Sequence, residues 1–259
     1  MNINLDTPKL WKRIILGFGS VLVLVIISFF IWAQFIYTAD QTKLEQFFAE
    51  HQDSISVNEY PTYFEILPKD NQCTTQECVP AGFVFYPGAK VDPQAYFYKL
   101  AFLVTENNTT LFITKPPLHL AFFGINQADV IIENNPNIKN WTIGGHSLGG
   151  AMAWVYTQSN PDKITALVLL GSYCANNLSA LDLKVISIHG SLDGLLDTDK
   201  IETTRKNLPV NNIDFVITGM NHAQAGNYGA QSGDNVPTKS DQDVQAEITL
   251  IIHDELVRD

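Results

Sequence analysis

The chain has 259 residues, 46% of them hydrophobic and 17% charged, with a formal net charge of -11. That length supports one large core rather than a row of domains. The acidic balance excludes nucleic acid as a partner, because a phosphate backbone needs a basic surface.

In chain order, the first feature is apolar. Residues 14–39, "IILGFGSVLVLVIISFFIWAQFIYTA", hold no charged side chain. As a helix they reach about 39 Å, more than the ~30 Å of a bilayer core. Trp11 lies at one end and Trp32 and Tyr37 at the other, where interfacial aromatics are expected. Lys9, Lys12 and Arg13 precede the run and Asp40 follows it, so the positive-inside rule predicts a cytoplasmic N-terminus and an exported remainder. A cleaved signal peptide is the rival reading. Its apolar region is usually only about 7–15 residues, and neither Ala33 nor Ala39 completes a small-x-small site, with Ile31 and Tyr37 two positions before them.

Residues 40–53 read as a short helical spacer. Two segments of strand composition follow, "SISV" at 54–57 and "YFEIL" at 63–67, separated by a turn at Pro61. Cys73 and Cys78 then bracket "TTQE" in a polar loop, a spacing that can close a small disulfide in an oxidising compartment; two free thiols are the alternative. Cys174 reads as a buried small apolar residue.

Beyond the cysteines, apolar runs alternate with helical stretches. The runs lie at 82–86, 111–114, 141–144, 166–170, 185–189 and 214–218. Unalternating apolar strands are buried on both faces, as in a parallel sheet. Asp92 with Pro93 and then Asp197 mark helix starts, and Ser240 with Asp243 has capping-box spacing before a final helix. Strand and helix in alternation predict a doubly wound, mostly parallel α/β sheet with helices on both faces, whose chemistry sits at the carboxyl ends of the strands.

At one such end stands "WTIGGHSLGGAMA", from Trp141. Gly145-His146-Ser147-Leu148-Gly149 fits G-x-S-x-G, follows an apolar strand and opens a helix, the setting of a nucleophile elbow. A serine hydroxyl needs a base to take its proton, and the base needs a third group to orient it. In this fold the acid and then the histidine follow the serine. Asp193, four residues beyond the run ending at 189, and His222, four beyond the run ending at 218, meet that order. Asp197 is the runner-up acid and suits a helix cap better. His146 and His189 read as packed structural residues, and His51, His119 and His253 as structural or surface. For the oxyanion donors the expectation is the amide of Leu148, after the nucleophile, and that of Ala89 in the turn "YPGAK".

Residues from about 80 to 258 resemble an α/β-hydrolase, on "FYPGAKVDPQAY", "GGHSLGG", "HGSLDG" and "GMNHAQAGNYG". More narrowly they are similar to a small lidless branch of that superfamily, distantly related to dienelactone hydrolases. The resemblance implies Ser147 as nucleophile, Asp193 as triad acid and His222 as general base. Dienelactone hydrolases themselves carry a cysteine where this chain has Ser147, so their substrate does not transfer. Between the runs ending at 170 and starting at 185 the connection is too short for a helical cap. Phe122, Phe123 and Lys90, with Lys115 beside them, are candidate substrate contacts.

The expected organisation is therefore a cytoplasmic segment over 1–13, a transmembrane signal-anchor over 14–39, a spacer with leading strands over 40–79, and a catalytic core over 80–259. The expected activity is hydrolysis of a small carboxylic ester or thioester outside the cell membrane, with no metal or organic cofactor. Acyl transfer on the same triad and a non-catalytic binding module on the same fold are the alternatives.

Overall fold

The structure is a computed structural model, and it describes residues 7–69, 80–106, 109–173 and 176–257. Cys73, Cys78 and Cys174 lie outside the described residues. The chain divides into two compact units, residues 1–36 and 37–259.

The first unit holds helix α1, Thr7–Ala33. Trp11–Ala33, 23 residues of mean hydropathy 2.9, is long and apolar enough to cross a membrane. The helix stops at Ala33, short of the 39 expected. Within the second unit the Tyr37 amide donates to Lys90 O at 2.7 Å and the Asp92 amide donates to Tyr37 O at 2.9 Å. A backbone engaged in this bridge cannot also be helical.

The second unit opens with α2, Gln41–His51, capped by Asp40, whose carboxylate accepts the amides of Thr42 and Lys43. Strands β1 (Ile55–Glu59) and β2 (Tyr63–Pro68) form an antiparallel hairpin. Then come β3 (Ala81–Tyr86), α3 (Phe97–Thr105) and β4 (Thr109–Thr114). They are followed by α4 (Gln127–Asn134), β5 (Asn140–His146) and α5 (Leu148–Ser159). The last group is β6 (Ala166–Leu170), β7 (Lys184–Gly190), α6 (Thr198–Thr204), β8 (Asn212–Ile217) and α7 (Asp241–Val257).

All eight strands join one sheet in the order β1-β2-β4-β3-β5-β6-β7-β8. From β4 to β8 every pairing is parallel; β2 meets β4 antiparallel. The hairpin expected to lead the domain is thus the edge of its sheet. Alternate residues of each central strand feed opposite layers, as the 2.0 period requires. Val168 and Leu170 of β6 join a core with Phe97, Leu100, Val244 and Ile248 of α3 and α7. Leu167 and Leu169 join the other core, with Ile131 and Trp154 of α4 and α5. Burial on both faces is the reason "ALVLL" shows no polar alternation.

The helix starts follow their caps. Asp92 accepts the Gln94 amide with Pro93 at the first position, but this turn is 3-10 before α3 begins at Phe97. Asp197 accepts the Lys200 amide and so caps α6. Ser240 Oγ accepts the Asp243 amide at 3.1 Å. Among the described residues between β6 and β7 there is no helix.

Candidate active site

The strand order β3-β5-β6-β7-β8 sets five loops side by side along one edge. They carry Ala89, Ser147, Gly171, Asp193 and His222 respectively.

Ser147 joins the end of β5 to the start of α5 with φ 52° and ψ -121°. A non-glycine residue in this region is strained by ~1–3 kcal/mol and persists only where its surroundings fix it. The surroundings do so from three sides. The Ser147 amide donates to Leu170 O at 2.9 Å, Ser147 O accepts Ser172 Oγ at 2.9 Å, and Ser147 O also accepts the Ala151 amide at 3.1 Å. The glycines allow the turn to be this tight: a Cβ on Gly149 would lie 2.0 Å from Tyr86 O.

Asp193 and His222 are brought together. His222 Nδ1 lies 2.8 Å from Asp193 Oδ2, with the side chains 2% and 3% exposed. The other carboxylate oxygen accepts the amides of Leu195 at 3.0 Å and Leu196 at 2.8 Å. Both oxygens of Asp193 thus meet donors, which fixes the angle of the carboxyl group toward His222. Ser147 and His222 are not hydrogen-bonded: His222 Nε2 is buried and has no partner among the described residues. Resting enzymes often show this bond long or unmade.

Gly171, at the end of β6 with φ 51°, makes room for the pair. A Cβ there would stand 3.1 Å from His222 Nδ1 and 3.2 Å from Asp193 Oδ2.

The turn after β3 faces the elbow. The Gly88 amide donates to Tyr96 Oη at 2.9 Å, and the Lys90 amide donates to His119 O at 2.7 Å. Between them, the Ala89 amide donates to no group among the described residues. Leu148 is the first residue of α5, where helix amides lack internal acceptors and the dipole favours an anion. Tyr96 Oη also lies 2.9 Å from His146 Nδ1. Tyr96 Oη thus bridges the Gly88 amide, which donates to it, and the His146 ring. Burial, reinforced by His222, holds His146 well below the usual histidine range. Its ring centroid is 4.5 Å from that of His222. His146 is therefore packed as expected, but it also ties the elbow to the turn after β3 through Tyr96, a link the sequence reading missed.

The candidate contacts fare differently. Phe122 and Phe123 are 43% and 50% exposed, with ring centroids 4.3 Å apart. Lys90 is left-handed, with φ 60°. Lys115 is turned away: its ammonium contacts Glu59 Oε1 at 2.5 Å and Tyr60 O at 3.0 Å. His189 Nδ1 lies 3.4 Å from Asp214 Oδ1, outside the site. Behind the His222 loop is a cavity of about 390 Å³ with Asn221, Gln224, Asn227 and Asp234 in its wall.

Comparison with known proteins agrees on the fold. The carboxylesterase CesB (YbfK) from Bacillus subtilis is 8% identical, with a TM-score of 0.56 over 85% of this chain and 97% of that one. Est1E from Butyrivibrio proteoclasticus is 12% identical, with a TM-score of 0.56 over 78% and 99%. Alpha/beta hydrolase domain-containing protein 10 from mouse is 9% identical, with a TM-score of 0.56 over 79% and 99%. No curated protein matches by sequence. The profile of the alpha/beta hydrolase family matches residues 82–246, more than half of the chain and all three loops that carry Ser147, Asp193 and His222, so the chain belongs to the alpha/beta hydrolase family.

Proposed function

We propose that this chain is a membrane-anchored serine hydrolase that cleaves a carboxylic ester or thioester through an acyl-enzyme. Membership of the hydrolase family and a fold shared with carboxylesterases support the ester-cleaving part. The observation that carries the rest is the buried 2.8 Å pairing of His222 with Asp193, on the same sheet edge as the strained Ser147.

In this reading His222 takes the Ser147 proton through Nε2 as Oγ attacks the substrate carbonyl, and Asp193 steadies the imidazolium. The amides of Ala89 and Leu148 receive the oxyanion. His222 returns the proton to the departing alcohol or thiol, then activates a water to release the acid. Residues 1–13 would remain in the cytoplasm, the apolar helix would span the membrane, and the domain would work outside it. With no helix described between β6 and β7, the reading favours a small ester, with the exposed Phe122 and Phe123 as candidate contacts.

The test is product analysis with the full chain in detergent. An ester and the matching thioester are supplied with and without added alcohol. Release of free acid in proportion to leaving group supports hydrolysis; a dominant new ester would replace it with acyl transfer, and no turnover of any acyl substrate would end the enzymatic reading.

A further inference from the structure

Asp234 lies in the long loop between His222 and α7, and its carboxylate is shared between the two arms of the proposed triad. Oδ1 accepts the amide of Gly194, the residue after Asp193, at 2.9 Å. Oδ2 accepts the amide of Ala223, the residue after His222, also at 2.9 Å. Oδ1 further accepts the amide of Asn235 at 2.9 Å. Asn235 O in turn accepts Asn221 Nδ2, from the residue before His222, at 2.7 Å. The backbone is tight here as well: a Cβ on Gly194 would lie 2.8 Å from the Asn235 amide. Residues 234 and 235 thus hold both neighbours of His222 and the neighbour of Asp193.

From this geometry we infer that Asp234 is a positioning residue, which locks the Asp193 loop to the His222 loop so that their hydrogen bond is set before substrate arrives. The inference rests on the triad reading above. A carboxylate is the group for this place because the amides it meets are all donors, and only a carboxylate offers acceptors on both arms. An asparagine could serve one loop, but its NH2 would then face the N–H of the other. The bonds are charge-assisted and so stronger than neutral ones. A displacement of about 1 Å at a catalytic pair can cost roughly 100-fold in rate, so a clamp on both loops acts directly on turnover.

The experiment uses the full chain in detergent, with Asp234→Asn, Asp234→Glu and, as a control in the same loop, Gln231→Ala. The Gln231 side chain accepts from Tyr228 Oη, and its backbone carbonyl, which the substitution leaves in place, accepts the Asp234 amide at 3.2 Å. Three quantities are read: thermal unfolding, kcat and KM on p-nitrophenyl acetate, and the downfield proton resonance of the His222 N–H bonded to Asp193. In folded Asp234→Asn, kcat should fall roughly 10- to 100-fold with KM within about twofold of wild type. The histidine resonance should broaden or move upfield. Asp234→Glu, which keeps the charge but not the span, should shift both in the same direction by less, and it carries the test if the asparagine variant does not fold. Gln231→Ala should keep both readings. A wild-type resonance and kcat in a folded Asp234 variant would overturn the inference, as would an equal loss in Gln231→Ala. If the wild type turns over no ester, the triad reading fails, while the resonance still reports whether Asp234 sets the Asp193–His222 bond.

Discussion

His222 Nδ1 stands 2.8 Å from Asp193 Oδ2, and the opposite oxygen of Asp193 is held by the amides of Leu195 and Leu196. Removing Asp193 therefore does two things at once. Asp193→Ala frees His222 and also strips two amides of their acceptor, at about 1–3 kcal/mol for each that stays buried. The expected result is loss of activity together with a lowered melting temperature. Ser147→Ala should lose activity without that drop. Calorimetry of the two variants side by side checks the contrast.

Ser147 holds φ 52° and ψ -121°, a region comfortable only for glycine. Ser147→Gly should abolish turnover while stabilising the fold by ~1 kcal/mol, as strain is relieved. Ser147→Ala, with its Cβ retained, should not stabilise. Chemical denaturation with both variants measures the difference. Equal stabilities would mean that the turn is unstrained.

Gly171 is the converse case. Gly171→Ala puts a Cβ about 3.1 Å from His222 Nδ1 at a residue of φ 51°. Activity and stability should both fall, the first by more than a surface substitution could explain. A variant with wild-type kcat would show that the Asp193–His222 pair tolerates displacement.

Tyr96→Phe removes the acceptor for the Gly88 amide and the hydrogen bond to His146 in one step. The turn after β3, proposed to hold the oxyanion, then loses its tie to the elbow, and kcat should fall roughly 10-fold with little change in KM. Steady-state kinetics on a small ester give the answer. A rise in KM alone would place Tyr96 in substrate binding instead.

Lys99 supplies a pH dependence remote from the site. Its ammonium is fully buried between α3 and α7, 3.9 Å from Asp241, and burial pulls it down to about 8. Depression of a lysine means that the folded state binds protons less readily than the unfolded one. Stability from this group therefore rises as pH increases from about 8 toward the unfolded value of 10.5, and its charge is destabilising at pH 7. Lys99→Met should raise the melting temperature at pH 7 and flatten the rise between pH 8 and 10. Melts across that range compare the two proteins.

Much of this fold was legible from short segments. β6 occupies the five residues of "ALVLL" because both faces of that strand are buried. β5 runs on to His146, past the apolar run, because Gly145 and His146 belong to the elbow and give no apolar signal. The caps at Asp92, Asp197 and Ser240 were readable since each bonds an amide two or three residues away. What joins distant segments was not. Asp234 meets Gly194 forty residues away, and Tyr96 meets His146 at fifty, and such pairs leave no period in the chain. The bridge from Tyr37 to Val91, in the turn after β3, is hidden for the same reason, behind an apolar run that reads as a longer helix.

The most direct test is labelling of the full chain in detergent with a fluorophosphonate probe, comparing wild type with Ser147→Ala and His222→Ala. The account predicts a stoichiometric adduct on Ser147 in the wild type and none in either variant. A well-folded wild type that takes no label, or a label that survives Ser147→Ala, would contradict it.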